Sequence, residues 1–153
     1  MSQKEDQKAF ASLIPELEFW NHGKGVDPES WIGMMGRYDL AIGYSLVFWP
    51  RFVEFEDYVL RKGFAVKSLR GFETQTNGDK TAVEAVMNHL HVAHLHINED
   101  DPTEEQVRYL GRVLADIHKT KLESEFTDRN FKVVFNDESG LCLDEYELTF
   151  WQE

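Results

Sequence analysis

The stretch "FKVVFNDESGLCLDEYELTFW", residues 131–151, decides the fold class. Its two ends, 131–135 and 146–151, alternate apolar and polar side chains at period two, the spacing of a half-buried strand. Between them "NDESG" has turn composition, so the runs read as a C-terminal β-hairpin with strands near 130–136 and 145–151. On the second strand Tyr146, Leu148 and Phe150 share one face; Glu145, Glu147, Thr149 and Trp151 share the other. With the first face packed inward, the second presents a tryptophan beside two carboxylates.

Upstream, the period changes. "TAVEAVMNHLHVAHLHI", 81–97, opens on the capping-box pattern Thr81…Glu84 and predicts a helix to about Ile97. Asp101-Pro102 with Glu104 opens a second to about Leu122, with Val107, Leu110, Leu114 and Ile117 inward. The four-residue break "NEDD" makes the two an antiparallel helix pair. Further back, "DPESW" supplies a cap (Asp27), a proline at the first helical position (Pro28) and an acid for the dipole (Glu29). Trp31, Met35, Tyr38, Ile42 and Leu46 then form a stripe to about Trp49. "IPELEFWNHGKG" suggests one short helix, residues 1–12 a polar lead-in, and "TQTNGDK" a turn. Residues 51–72 fit either a small hairpin around Glu56-Asp57 or one helix. These readings combine into one α+β domain over 1–153, mostly helical.

Composition narrows the function. A 42% hydrophobic share and four tryptophans in 153 residues describe a chain that buries a core. The net charge of −12 is concentrated in residues 81–153. No stripe of Lys and Arg is available to replace phosphate counterions, so nucleic acid is not expected as a partner, and anionic membrane is disfavoured. The absence of an apolar leader and a single cysteine, Cys142, point to a reducing, cytoplasmic setting. No phosphate loop or nucleophile elbow is present: "GKG" at 23–25 and Ser45 in "GYSLV" both lack the required glycine spacing.

Chemistry is advertised only by "NHLHVAHLH", with His89, His91, His94 and His96 in nine positions. At ~100° per residue a helix splits them into two pairs on opposite faces, and a strand also leaves two per face. His91 and His94 are the surviving metal candidates, but zinc needs a third protein ligand. His94 falls inside the apolar stripe of the expected helix, which favours a structural histidine in or near the core. No cofactor is called for.

The expectation is therefore a non-enzymatic, acidic, cytoplasmic protein that binds a basic protein partner. By size and charge alone it is comparable to immunity and antitoxin proteins, an analogy rather than a resemblance. The partner surface is placed on Glu145, Glu147 and Trp151, with Asp137 and Glu138 at the turn and Asp144 nearby. The alternatives are a histidine-dependent or metal-dependent enzyme centred on His91 and His94, and a structural homodimer joined through exposed aromatics.

Overall fold

A computed structural model describes residues 8–96 and 102–153. The chain is α+β and groups into two compact units, Met1–Ser45 and Leu46–Glu153.

In the first unit, residues 14–25 do not form the single short helix that their sequence suggested. Pro15–Glu18 is one 3-10 turn, and Asn21 and His22 adopt positive φ of 53° and 57° before Gly23. Val26 N–H closes this loop on the Leu17 carbonyl at 3.0 Å, and Leu13, Leu17 and Val26 are buried. Asp27 caps the next helix as expected, accepting from Ser30 N–H at 3.0 Å. That helix, α1 (Pro28–Met35), stops where Gly36 turns extended, and α2 (Tyr38–Phe48) begins afresh. The stripe expected to run unbroken to Trp49 is thus two helices. Neither buries a single residue.

In the second unit the ambiguity over 51–72 resolves in favour of the hairpin, and a helix begins only after it. β1 (Phe52–Phe55) and β2 (Tyr58–Arg61) pair antiparallel around Glu56-Asp57, both at positive φ as a two-residue hairpin turn requires. α3 (Val66–Gln75) follows, then a turn in which Asn77 and Gly78 have positive φ.

α4 (Lys80–Met87) is capped by Asp79, which accepts from Ala82 N–H at 3.1 Å. The expected Thr81–Glu84 box does not form, because the Glu84 side chain is fully buried elsewhere. The helix also ends ten residues short of Ile97. β3 (Leu90–His91) and a 3-10 turn, Val92–Leu95, replace its second half. The partner helix, α5 (Glu104–Glu125), starts from a Thr103–Gln106 capping box and faces that 3-10 turn, so the expected pair of long antiparallel helices is not formed. Ile97 and the "NEDD" break, including Asp101, lie outside the described residues.

The C-terminal hairpin is present: β4 (Phe131–Phe135) pairs with β5 (Glu147–Gln152), Val133 opposite Phe150 and Phe135 opposite Leu148. β3 adds to the other edge of β5, giving the order β3-β5-β4. Tyr146, Leu148 and Phe150 are buried as the alternation demanded. α5 supplies their cover, with Val107 beside Tyr146 and Leu122 beside Phe150.

β3 pairs with β5 only at 147–148, so the rest of that β5 edge needs other partners. α4 supplies them from two side chains one turn apart. Glu84 accepts from Val59 N–H of β2 at 2.8 Å and from Gln152 N–H of β5 at 2.7 Å. Asn88 accepts from Arg61 N–H at 3.0 Å and donates to the carbonyls of Val59 (2.9 Å) and Phe150 (3.2 Å). Two side chains thus do the work of a strand, satisfying edge groups that burial would otherwise orphan.

Candidate functional site

The two sets of residues singled out in the sequence, the histidines and the C-terminal carboxylates, meet at the β3 edge. Pairing of His91 with Glu147 across the β3–β5 ladder places the imidazole Nδ1 3.2 Å from the Glu147 carboxylate. The same Nδ1 lies 2.7 Å from the Asp144 carbonyl. The 3-10 turn at 92–95 then brings His94 back, its Nε2 3.0 Å from the Asp144 carboxylate. Ring centroids run 5.1 Å from His89 to His91 and 4.8 Å from His91 to His94, so three imidazoles touch in sequence. Helical arithmetic separated His89 from the other two; that arithmetic lapses once the helix ends at Met87. His94 is also not a core residue. Its side chain is 54% exposed, and the turn buries Val92 instead.

Chemically, this edge can bind and orient by hydrogen bonds. Among the described residues, no three His, Cys, Asp or Glu side chains are disposed to hold one ion. The His94–Asp144 pair stands in water, Asp144 being 75% exposed, where such pairs contribute about 0–1 kcal/mol.

The acidic face is less open than the strand pattern implied. Asp137 sits between Arg112 and Arg108 of α5, at 2.6 and 2.8 Å, and those guanidiniums hold its carboxyl below the ordinary range. The run 137–151 contains no cation of its own, but the fold imports two. Glu145 turns back to accept from Cys142 N–H at 2.8 Å, and Cys142 itself is exposed. The face bearing Glu147, Thr149 and Trp151 is not free along its length, since the Thr149 hydroxyl donates to the Ala85 carbonyl of α4. Trp151 is half-buried opposite Lys132. Glu138, Asp144 and Glu145 remain exposed.

The larger anomaly lies in the first unit. Ile32, Met34, Met35, Tyr38, Leu40 and Ile42 are each about half exposed or more, Tyr38 reaching 91%. Taking Leu40 as zero, Tyr44 falls at ~40° around α2 while Tyr38, Ile42 and Leu46 fall at ~160°, ~200° and ~240°, so exposed apolar groups emerge on opposite sides. A helix apolar all round is ordinarily a buried helix. Residues 31–45 carry only Arg37 and Asp39 as charges, and these pair with each other through two hydrogen bonds. A groove of about 520 Å³ is lined by Trp31, Ile32, Met35, Tyr38, Leu40 and Tyr44. The Trp31 indole Nε1 is buried there and meets no acceptor among the described residues. The sequence pattern held this signal: an amphipathic stripe was read where the composition is apolar on all faces. No helix among the described residues is long and apolar enough to cross a membrane. No family model matches the chain, and neither a curated protein nor a solved structure matches it.

Proposed function

We propose that this chain is a non-enzymatic binding protein whose apolar helices α1 and α2 dock on a basic protein partner. The observation that carries this reading is that neither helix buries a residue. Ile32, Met34, Met35, Tyr38, Leu40, Ile42 and Tyr44 expose on the order of 800 Å² between them, what one partner gives to a standard interface. Soluble chains rarely leave that much apolar side-chain surface uncovered on two successive helices.

Charge selects the occupant. Two copies of a chain of net charge −12 repel as they approach, whereas a basic partner is drawn in. The net charge supplies that field, while the apolar helices supply the buried contact. Arrangement of interface energy in this way, apolar anchors for residence and charge for encounter, is general.

The test uses the partner recovered from native cells and then purified. It is expected to be basic, and Ile42→Glu should weaken its affinity by about 2 kcal/mol if Ile42 is an anchor. Because Ile42 is 68% exposed, the variant should keep the parent's circular dichroism and melting temperature. Unchanged affinity, a stable homodimer by sedimentation, or co-sedimentation with lipid vesicles would each overturn the proposal.

A further inference from the structure

A second, oppositely charged site lies in the Leu46–Glu153 unit. Leu46, Trp49, Pro50, Arg51, Arg61 and Lys62 line a groove of about 290 Å³. Three of the six are cations in a chain whose net charge is −12. Their convergence follows from the β1–β2 hairpin. Arg61 stands opposite Phe52 at its open end, and Lys62 N–H donates to the Arg51 carbonyl at 2.8 Å.

None of the three has an anionic partner among the described residues. The nearby acids of the same hairpin are engaged elsewhere, Glu54 with Arg129 and Glu56 with Arg70. The contrast with the other guanidiniums is direct. Carboxylates raise Arg70, Arg108 and Arg129 above their ordinary values, whereas Arg61 is lowered, with burial as the cause. A half-buried guanidinium without a counter-ion is costly, and a bound anion removes that cost. The wall of the groove is aromatic. Trp49 is 60% exposed, and the Lys121 ammonium, itself paired with Glu125, sits 4.7 Å from the ring centroid.

We infer that this groove binds a small phosphomonoester carrying a planar ring, of nucleoside monophosphate size. The Arg61 fork and the Arg51 and Lys62 charges match a phosphate dianion, for which guanidinium geometry is suited to paired hydrogen bonds. Trp49 offers a stacking surface for the ring. A volume of about 290 Å³ stands at the small end of ligand pockets and suits a ligand of mononucleotide size. The net negative charge does not prevent this, since screening at physiological salt acts over about 8 Å and leaves the local cations dominant.

The experiment titrates the full chain with adenosine 5′-monophosphate, adenosine and inorganic phosphate, following binding by calorimetry and by NMR of the tryptophan indole and arginine side-chain signals. Adenosine monophosphate is expected to bind and to shift Trp49 and Arg61, with phosphate alone and adenosine alone each at least about ten-fold weaker. Arg61→Gln should reduce affinity about ten-fold. Trp49→Leu should bring the monophosphate down to the affinity of phosphate. Both variants are checked for an unchanged NMR fold, and Arg51→Gln, at an exposed site, provides an independent loss. No detectable binding of the monophosphate, equal binding of phosphate and the monophosphate, or tighter binding of a single-stranded oligonucleotide would overturn the inference.

Discussion

At the scale of single residues, Gly111 and His118 of α5 show how tightly the sheet meets its covering helix. A Cβ built on Gly111 would lie 2.0 Å from Phe135 Cζ, far inside van der Waals contact with the ring. Gly111→Ala is therefore expected to cost roughly 1–3 kcal/mol by overpacking. Urea denaturation would show it, and Phe135→Leu in the same chain should recover part of the loss. His118 is 1% exposed, its Nδ1 2.8 Å from the Leu114 carbonyl and its ring edge-on to Phe52 at 5.5 Å. Burial lowers its pKa from 6.5 to about 4; the hydrogen bond to the Leu114 carbonyl opposes this in part, and the charge of Arg61 adds a lesser downward push. The unfolded chain then binds the extra proton between pH 6.5 and 4, so stability falls as pH falls through that window. The loss amounts to roughly 3 kcal/mol and is complete below pH 4. His118→Leu should flatten the dependence relative to the parent; parallel curves would show that carboxylates alone produce it.

Among the elements, the decisive device is α4, an eight-residue helix whose side chains join two sheets. Glu84→Ala strands the N–H groups of Val59 and Gln152. Asn88→Ala strands Arg61 N–H and two carbonyls. Each orphaned buried group costs about 1–3 kcal/mol, so either substitution is expected to be severe. Hydrogen exchange distinguishes this from general loosening. In Asn88→Ala the Arg61 amide should lose protection selectively, and in Glu84→Ala the Val59 and Gln152 amides should, while amides at the centre of α5 keep theirs. Uniform loss of protection across the chain would contradict the bridging role. The same helix explains the histidines. Once it stops at Met87, residues 90–95 are free to run as a short edge strand and tight turn, which puts His91 and His94 against Asp144.

For the whole molecule, charge and apolar exposure are divided between different surfaces. The field of −12 acts on encounter, so association with the proposed basic partner should slow as salt rises, whereas Ile42→Glu should act on dissociation. The cationic groove at Arg51, Arg61 and Lys62 is local and short-ranged within that field. Its titration with small phosphates is independent of the partner, so either proposal can fail while the other stands.

Local patterns in the sequence were enough for the α+β class, the cap at Asp27 and the two strands of the C-terminal hairpin, whereas residues 51–72 stayed open between a hairpin and a helix. Those features depend on neighbours in the chain: side-chain alternation, φ preference and capping act within a few residues. What only the tertiary structure decided depends on residues far apart. Glu84 reads as an N-terminal capping partner but is 68 positions from the Gln152 amide it satisfies. Asp137 reads as a free turn carboxylate until Arg108 and Arg112, from another element, arrive beside it. The stripe from Trp31 reads as core-facing, yet whether an apolar face is covered is set by what packs on it, and nothing in 31–45 is buried. Burial and pairing are properties of the assembled chain, because free energy is gained from contacts that the linear order does not bring together.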